Sequence, residues 1–254
     1  MYLGSLGVSA QVPETLRNAG HHVSVFTRTP SRAEARALDL LVVCGHPRPL
    51  GADVFGAPRL GTWNVHPSLL PWRRGPQPVR WAILSGDEWY GVSIHQMTQV
   101  IDTGPLWWQD RIPRGEGGHH AVLHALVARA ARALPSLVAR AEGGERARPV
   151  VGIGSRQGRV PPALLRLDPA LDAEMFRRRV AADDDRGPSL EGPRGLEVLG
   201  AVRRVEAQHA HPGTVLAVTS TTLTFAVRDA VLCGTTRGEP RARVGEVLLP
   251  RGLA

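Results

Sequence analysis

Three polar side chains of complementary chemistry lie close together in the sequence: Asn64, His66 and Asp102. An asparagine amide can donate hydrogen bonds to a developing oxyanion without carrying a charge itself. A histidine gains or loses a proton near neutral pH, and a carboxylate can pair with it or accept a proton. The three types together could stabilise a developing oxyanion and move a proton.

Each of these residues also fits a purely structural role when it is considered alone. Asn64 could form a turn, His66 precedes a proline, and Asp102 opens an Asp-Thr-Gly sequence that is typical of a turn. If Asn64 and His66 lie on one strand, the alternation of side chains places both on the same face. The sequence therefore predicts that these two act from one side of a sheet.

The elements around these residues form three regions. Residues 1–151 alternate apolar strands with amphipathic segments, which predicts an α/β, doubly wound (Rossmann-like) domain. Residues 152–190 are richer in Gly, Pro and charge and predict a linker that contains a helix. Residues 191–254 hold short strands between turn signals, which predicts a small C-terminal β-barrel-like (OB-like) domain. The first strand is short, which favours a natural N-terminus that begins further upstream.

Three motifs occur in a fixed order: NVHPSLLPWRRG, GDEWYGVSIH and VIDTGPL. This arrangement resembles the folate-dependent N-formyltransferases, a family that includes the methionyl-tRNA, glycinamide ribonucleotide and amino-sugar formyltransferases. The resemblance implies that 10-formyltetrahydrofolate is the cosubstrate and that no metal is needed. It also implies that Asn64 and His66 stabilise the oxyanion while Asp102 manages protons. The later PGTVLAV sequence resembles the C-terminal barrel of methionyl-tRNA formyltransferases.

The resemblance also implies where the two substrates bind. Loops that follow two strands grip the pterin in this family, largely through backbone groups. The corresponding cofactor-binding candidates here are Val43, Cys44, Gly45, Leu50, Leu70, Pro71, Val100 and Ile101. The candidates for the acceptor side are Ser5, Ser9, Arg74 and Tyr90, and the last stands where the family usually has threonine. Burial beside Val100 and Ile101 is expected to raise the pKa of Asp102.

The acceptor is predicted to be the amine of a small molecule. Members that act on tRNA carry a long basic insertion after the second strand, whereas only TRTPSRAEARAL is present here. An amino sugar, an aminoglycoside or an amino acid would fit, as in specialised metabolism such as antibiotic biosynthesis. The C-terminal barrel and high isoelectric point favour methionyl-tRNA as an alternative acceptor. A formyltetrahydrofolate deformylase and a folate-binding paralogue without turnover are further alternatives.

Composition narrows the class of protein. The net charge is +8, and all 31 basic residues are arginine, which indicates a coding bias as much as a nucleic-acid surface. No long apolar run or leader-like N-terminus is present, so a cytoplasmic location without membrane contact is expected. Cys44 and Cys233 are isolated, and His119 and His120 lack partners at ligand spacing, so neither a disulfide framework nor a metal site is predicted.

Overall fold

The computed structural model describes residues 2–4, 9–207 and 210–251. Two compact units share the chain. The first comprises Met1–Val79, Glu88–Gly115 and Ala121–Arg159, and the second comprises Arg80–Asp87, Glu116–His120 and Val160–Ala254. The chain therefore passes between the two units several times, and from Val160 onward it stays in the second unit.

The first unit contains a six-stranded mixed sheet. Its strands are β1 (Tyr2–Gly4), β2 (Val25–Phe26), β3 (Leu41–Cys44), β4 (Thr62–His66), β5 (Trp89–Gln96) and β6 (Leu106–Pro113), in the spatial order β2-β1-β3-β4-β5-β6. Strands β1 to β4 pair in parallel, and β5 and β6 join antiparallel. All four residues of β3 are buried, as expected for a central parallel strand. This sheet confirms the predicted Rossmann-like α/β class.

Helices connect the strands of this sheet. They are α1 (Gln11–Asn18), α2 (Arg32–Arg36), α3 (Ala52–Phe55), α4 (Pro78–Ser85) and α5 (His119–Glu142). Ser31 caps α2 in a reciprocal arrangement with Glu34, which explains why so short a helix begins there. Among the described residues, α5 alone is long and apolar enough to cross a membrane by length and composition. One face of α5 is buried in the fold, as in a core helix, and this accounts for its apolar character.

Besides most of α4, the second unit contains a six-stranded antiparallel sheet and two further helices in its described residues. The elements are α6 (Pro162–Leu165), α7 (Ala173–Ala182), β7 (Ser189–Gly192), β8 (Gly195–Ala207), β9 (Val215–Val218), β10 (Thr222–Ala226), β11 (Ala230–Thr236) and β12 (Leu249–Pro250). The strand order is β12-β7-β8-β11-β10-β9. The Val215 amide donates to the Glu246 carbonyl at 2.9 Å, and the Leu248 amide donates to the Gly213 carbonyl at 2.9 Å. These bonds bring the two ends of the sheet together, so the sheet curls as a half-barrel; the finer OB-like assignment remains a prediction.

An aromatic pair lies at the centre of the second unit. Phe176 of α7 and Phe225 of β10 are both fully buried, with ring centroids 5.4 Å apart. Leucines from β7, β8 and β11 complete the same cluster. The helix that the sequence predicts between the two domains is therefore part of the hydrophobic core of the second unit.

Replacing Phe225 by alanine is expected to lower the free energy of unfolding by about 3–5 kcal/mol, because the change removes a buried ring and leaves a cavity. Chemical denaturation followed by fluorescence and circular dichroism would measure this loss. Val244→Ala is the matched control, because Val244 is 64% exposed and should change the stability by less than about 0.5 kcal/mol. Equal losses in the two variants would contradict the assignment of Phe225 to the core.

Candidate active site

The predicted amide and imidazole, those of Asn64 and His66, lie on β4 where it pairs with β5. Asn64 and His66 are two residues apart on β4 and lie opposite His95 and Ser93 of β5. Because side chains alternate along a strand, these four share one face of the sheet. This register confirms that Asn64 and His66 lie on the same face of the sheet; their part in the reaction stays a prediction.

Asp102 reaches this face from the loop between β5 and β6. Its Oδ2 accepts a hydrogen bond from the Gly75 amide at 2.8 Å, and its Oδ1 accepts one from Asn64 Nδ2 at 3.4 Å. The loop is held close to β5, since a Cβ on Gly104 would lie 1.8 Å from the Gln96 carbonyl oxygen. Asp102 itself has a φ of +56°, a conformation that non-glycine residues rarely adopt. The left-handed backbone of this turn therefore brings the Asp102 carboxylate to Asn64 and Gly75, which an extended strand conformation at this residue would not do.

His66 is buried, and its two ring nitrogens face different acceptors. Nε2 lies 3.0 Å from the Arg73 carbonyl, which can only accept, so Nε2 carries a proton. Nδ1 lies 3.6 Å from Asp102 Oδ2, and in the neutral ring it holds the lone pair. Burial lowers the pKa of His66 below its usual value and outweighs the opposing effect of the Asp102 charge. His66 is therefore neutral at pH 7 with a free acceptor atom beside a carboxylate.

The expected rise in the pKa of Asp102 is wrong. Burial does act to raise this pKa, but hydrogen bonding from His95, the nearby His66 and the Gly75 amide together lower it to about 2. The apolar neighbours do not bury the carboxylate as expected, because the side chains of Val100 and Ile101 are 64% and 45% exposed. Asp102 is consequently ionised throughout the neutral range.

Because its folded pKa of about 2 lies below the unfolded value, Asp102 should stabilise the fold above about pH 4. This contribution, on the order of 2 kcal/mol, should disappear as the pH falls towards 2. Urea denaturation of the wild type and of Asp102→Asn between pH 2 and 7 would measure it. The stability difference between the two should shrink on acidification; a difference that stays constant over this range would rule out the low pKa.

His95 is a further member of the cluster, which the sequence analysis did not single out. Its Nδ1 lies 3.0 Å from the Gln96 carbonyl, and its Nε2 lies 3.2 Å from Asn64 Nδ2. Nε2 is also 3.5 Å from Asp102 Oδ1. The two protons of the Asn64 amide are therefore directed at His95 and Asp102. Only the pairing of β4 with β5 reveals this contact, because it places His95 opposite Asn64.

A compact loop follows β4 and closes this side of the site. Ser93 is fully buried, and its hydroxyl donates to the Ser68 carbonyl at 2.6 Å and accepts from the Leu70 amide at 3.1 Å. Gln109 Nε2 donates to the Leu70 carbonyl at 2.8 Å. The peptide bond between Leu70 and Pro71 is cis. Side chains from β5 and β6 thus fix the path of the loop that the HPSLLP sequence forms.

The predicted cofactor-binding residues divide by exposure. Val43, Cys44, Leu50 and Leu70 have buried side chains, and the backbone amide and carbonyl of Leu70 already bond to Ser93 and Gln109. Gly45 has a φ of +66° where the chain leaves β3. Pro71 is partly buried, and Val100 and Ile101 expose most or nearly half of their apolar side chains next to Asp102. No bound ligand tests these assignments, which remain predictions.

The predicted acceptor-side residues have mixed outcomes. Ser5 lies outside the described residues, and Ser9 is buried just before α1. Arg74 is partly buried, and its Nε has no hydrogen-bond partner within the described part of the chain. The substrate-side placement of Tyr90 is not supported, because strand alternation puts it on the face of β5 opposite His95, where it is 3% exposed.

One group of possible metal ligands occurs in the described residues. His119, Asp184 and Asp185, all in the second unit, have ligand atoms within 4.8 Å of one another. Buried Arg80 already contacts both carboxylate oxygens of Asp185 at 2.6 Å. The positive charge of the Arg80 guanidinium would repel a metal cation at this site. An ion-pair network therefore explains the cluster better than a metal site does.

A neutral imidazole beside an ionised carboxylate, with an oriented amide between two acceptors, characterises an enzyme that moves protons around a reacting carbonyl. The profile of the formyl transferase family matches residues 22–131. The chain is 32% identical over 234 residues to the methionyl-tRNA formyltransferase of Granulibacter bethesdensis, covering 90% of this chain and 70% of that one. It is 34% identical over 237 residues to the enzyme of Xanthomonas campestris, covering 89% and 73%. The chain therefore belongs to the formyltransferase family, whose members are enzymes that use formyl-tetrahydrofolate.

Solved structures share the fold at lower sequence identity. HypX from Aquifex aeolicus in complex with tetrahydrofolic acid superimposes with a TM-score of 0.79 and 22% identity, covering 98% of this chain and 45% of that one. An N-formyltransferase from Helicobacter canadensis, in complex with folinic acid and dTDP-3-aminofucose, has a TM-score of 0.69 and 12% identity, covering 92% and 98%. Both comparisons show that these proteins share the fold of this chain.

Proposed function

We propose that this enzyme transfers the formyl group of 10-formyltetrahydrofolate to the amine of methionyl-tRNA. The observation that carries this proposal is the 31–34% identity to methionyl-tRNA formyltransferases across about nine-tenths of the chain, which includes the second unit. The similarity outweighs the expectation of a small-molecule acceptor, which rests on one short connection. A cytoplasmic location and an OB-like second unit accompany the proposal.

The distribution of charge supports a polyanionic acceptor. Of the 31 arginines, 18 lie in residues 1–159 and 13 in residues 160–254, whereas the 23 acidic residues divide 11 to 12. The excess positive charge therefore lies in the part of the chain that contains the active site. Phosphate contacts from arginine supply much of the affinity of proteins for nucleic acids. Exposed Trp72 and partly buried Arg73 and Arg74 lie in the loop next to His66 and would offer stacking and phosphate contacts there.

The site also fits a folate donor. Exposed Val100 and Ile101 next to Asp102 supply apolar surface for a pterin ring, and backbone groups beyond β3 can hydrogen-bond its edge. Tetrahydrofolate and folinic acid are bound by structural neighbours of this fold. The eight predicted cofactor-binding residues are proposed on this basis, mainly through their backbone groups.

In the proposed reaction, the acceptor amine attacks the formyl carbon and a new C–N bond forms. Asn64 turns one amide proton from its long 3.4 Å contact with Asp102 towards the developing oxyanion. His66 Nδ1 accepts the proton that the amine loses, and ionised Asp102 stabilises the resulting imidazolium. The bond to N10 then breaks, its electron pair goes to N10, and the proton held by His66 is delivered there through water. Asp102 therefore acts through its charge rather than as the primary base.

A small amine is the second candidate acceptor, favoured by the short connection between β2 and β3. Only residues 27–40 separate these strands, and they contain the five-residue helix α2. The corresponding long basic insertion of tRNA-acting members, inferred from the resemblance above, is not present in this stretch. An amino sugar or amino acid would need no such arm.

Mass spectrometry would distinguish the acceptors. Purified enzyme and 10-formyltetrahydrofolate would be offered methionyl-tRNA, pooled amino sugars and pooled amino acids, and products would be searched for one added formyl group. Formyl-methionyl-tRNA, with a rate that falls steeply with salt, is the expected result. A formylated small amine alone would overturn the tRNA proposal, and folate turnover without a labelled acceptor would indicate a deformylase.

A further inference from the structure

A segment beyond the predicted catalytic domain packs along the loop after β4. We call residues 153–157 the clamp segment. The Ser155 amide donates to the Pro71 carbonyl at 3.1 Å, and the Arg74 amide donates to the Ser155 carbonyl at 2.9 Å. The Gln157 amide then donates to the Arg74 carbonyl at 2.9 Å, and a parallel β-bridge joins Arg74 to Arg156. The clamp segment therefore adds a short strand to the loop.

The side chain of Ser155 makes one further bond to the same loop. Its Oγ accepts from the Arg73 amide at 2.9 Å. Arg73 has a φ of +58°, a left-handed conformation that costs about 1–2 kcal/mol for a residue with a Cβ. Surrounding contacts must maintain such a conformation, and Ser155 supplies one on each side of Arg73.

The backbone that Ser155 holds is the backbone that orients the catalytic groups. The Arg73 carbonyl accepts from His66 Nε2 at 3.0 Å, and the Gly75 amide donates to Asp102 Oδ2 at 2.8 Å. The clamp segment packs tightly against the loop after β4, because a Cβ on Gly154 would lie 2.1 Å from the Pro71 carbonyl oxygen. A Cβ on Gly75 would likewise lie 2.3 Å from the Gln157 carbonyl oxygen. A shift of the clamp segment would therefore move the partners of both His66 and Asp102.

We propose that Ser155 is a positioning residue for formyl transfer, which acts through the Arg73 backbone to fix the orientation and tautomer of His66. The kinetic part of this proposal rests on the function proposed above, whereas the orientation of His66 can be measured without turnover. The first residues of the predicted linker therefore belong to the clamp segment and hold the loop beside the active site. No sequence motif marks Ser155, since its role depends on a tertiary contact across 82 positions.

Burial has the largest effect on the pKa of His66 and lowers it, and three groups in the described structure modify that effect. Asp102 and the Arg73 carbonyl favour the charged ring, and His95 disfavours it. If removal of the Ser155 hydroxyl loosens the Arg73 carbonyl, one favourable interaction weakens. The pKa of His66 should then fall further, provided that Asp102 stays in place.

The test compares Ser155→Ala, Ser155→Thr and the control Ser136→Ala in the full-length enzyme. Ser136 lies on α5, is exposed, and its hydroxyl donates within its own helix to the Ala133 carbonyl. We expect Ser155→Ala to lower kcat about tenfold with the folate KM changed less than twofold, because the substitution misplaces a catalytic group and leaves the folate-binding groups intact. Ser155→Thr retains the accepting oxygen and should restore most of the rate.

Nitrogen-15 NMR of the histidine rings provides the second readout. In the wild type, the His66 Nε2 proton should be protected from exchange and its ring should titrate below its usual pKa. Ser155→Ala should speed this exchange and lower the pKa, while Ser155→Thr and Ser136→Ala should not. Wild-type kcat and unchanged His66 signals in a folded Ser155→Ala protein would overturn the proposal. Altered His66 signals in an enzyme without formyl transfer would instead refute the proposed function alone.

Discussion

Asp102→Ala should lower kcat by more than a hundredfold while the protein remains folded. The carboxylate lies 3.6 Å from His66 Nδ1 and is the nearest negative charge available to an imidazolium formed during the reaction. Losing a preorganised electrostatic partner of this kind costs about 10²–10³-fold in other enzymes. The substitution also leaves the Gly75 amide without its acceptor, which loosens the turn that carries the Arg73 carbonyl.

Steady-state kinetics with saturating donor and acceptor would measure this loss, and circular dichroism would establish folding. Asp39→Ala is the control, because Asp39 lies in the first unit and its ion pair with Arg59 is exposed, with the Asp39 side chain 71% exposed, where such pairs contribute little. Asp102→Asn separates the two effects, since it keeps an acceptor for Gly75 and removes the charge. A near-normal kcat in folded Asp102→Ala would refute the mechanism.

Asn64→Ala should also lower kcat more than a hundredfold, for a different reason. The amide is the proposed oxyanion donor, and its Nδ2 connects His95 Nε2 at 3.2 Å with Asp102 Oδ1 at 3.4 Å. Removing it eliminates the donor and leaves a buried carboxylate oxygen with one partner fewer. Because the missing bond favours the transition state rather than the bound substrate, KM should change little.

Single-turnover measurements of the Asn64→Ala enzyme would isolate the chemical step from substrate binding. Gln99→Ala serves as the control amide, since Gln99 is exposed in the loop that leads to Asp102. A double-mutant cycle with His95→Ala would show whether Asn64 and His95 act as one unit. Strictly additive losses would mean that His95 does not orient Asn64, and an unchanged chemical rate would exclude Asn64 as a donor.

The sequence was sufficient for the family and for much of the architecture. Residue types and their order in three motifs made Asn64, His66 and Asp102 the candidate site residues, and strand alternation placed the first two on one face. The apolar run Leu41–Cys44 indicated a buried parallel strand, because such strands are covered on both faces. These features are local, or they depend on order along the chain, so they can be recognised without coordinates. The acceptor substrate was harder to predict from the sequence, because the relatives favour methionyl-tRNA over the predicted small amine.

Only the tertiary structure decided the pKa of Asp102 and the hydrogen-bond partners of the three candidate residues. The pKa of Asp102 falls rather than rises because Gly75, His66 and His95 approach it from three other segments, and their distances are not encoded in neighbouring residues. The pairing of β4 with β5 likewise brings His95 to Asn64 and turns Tyr90 to the opposite face. Electrostatic and hydrogen-bond energies change over a few ångströms. Sequence therefore supplied the candidate groups, and folding determined their hydrogen-bond partners and orientation.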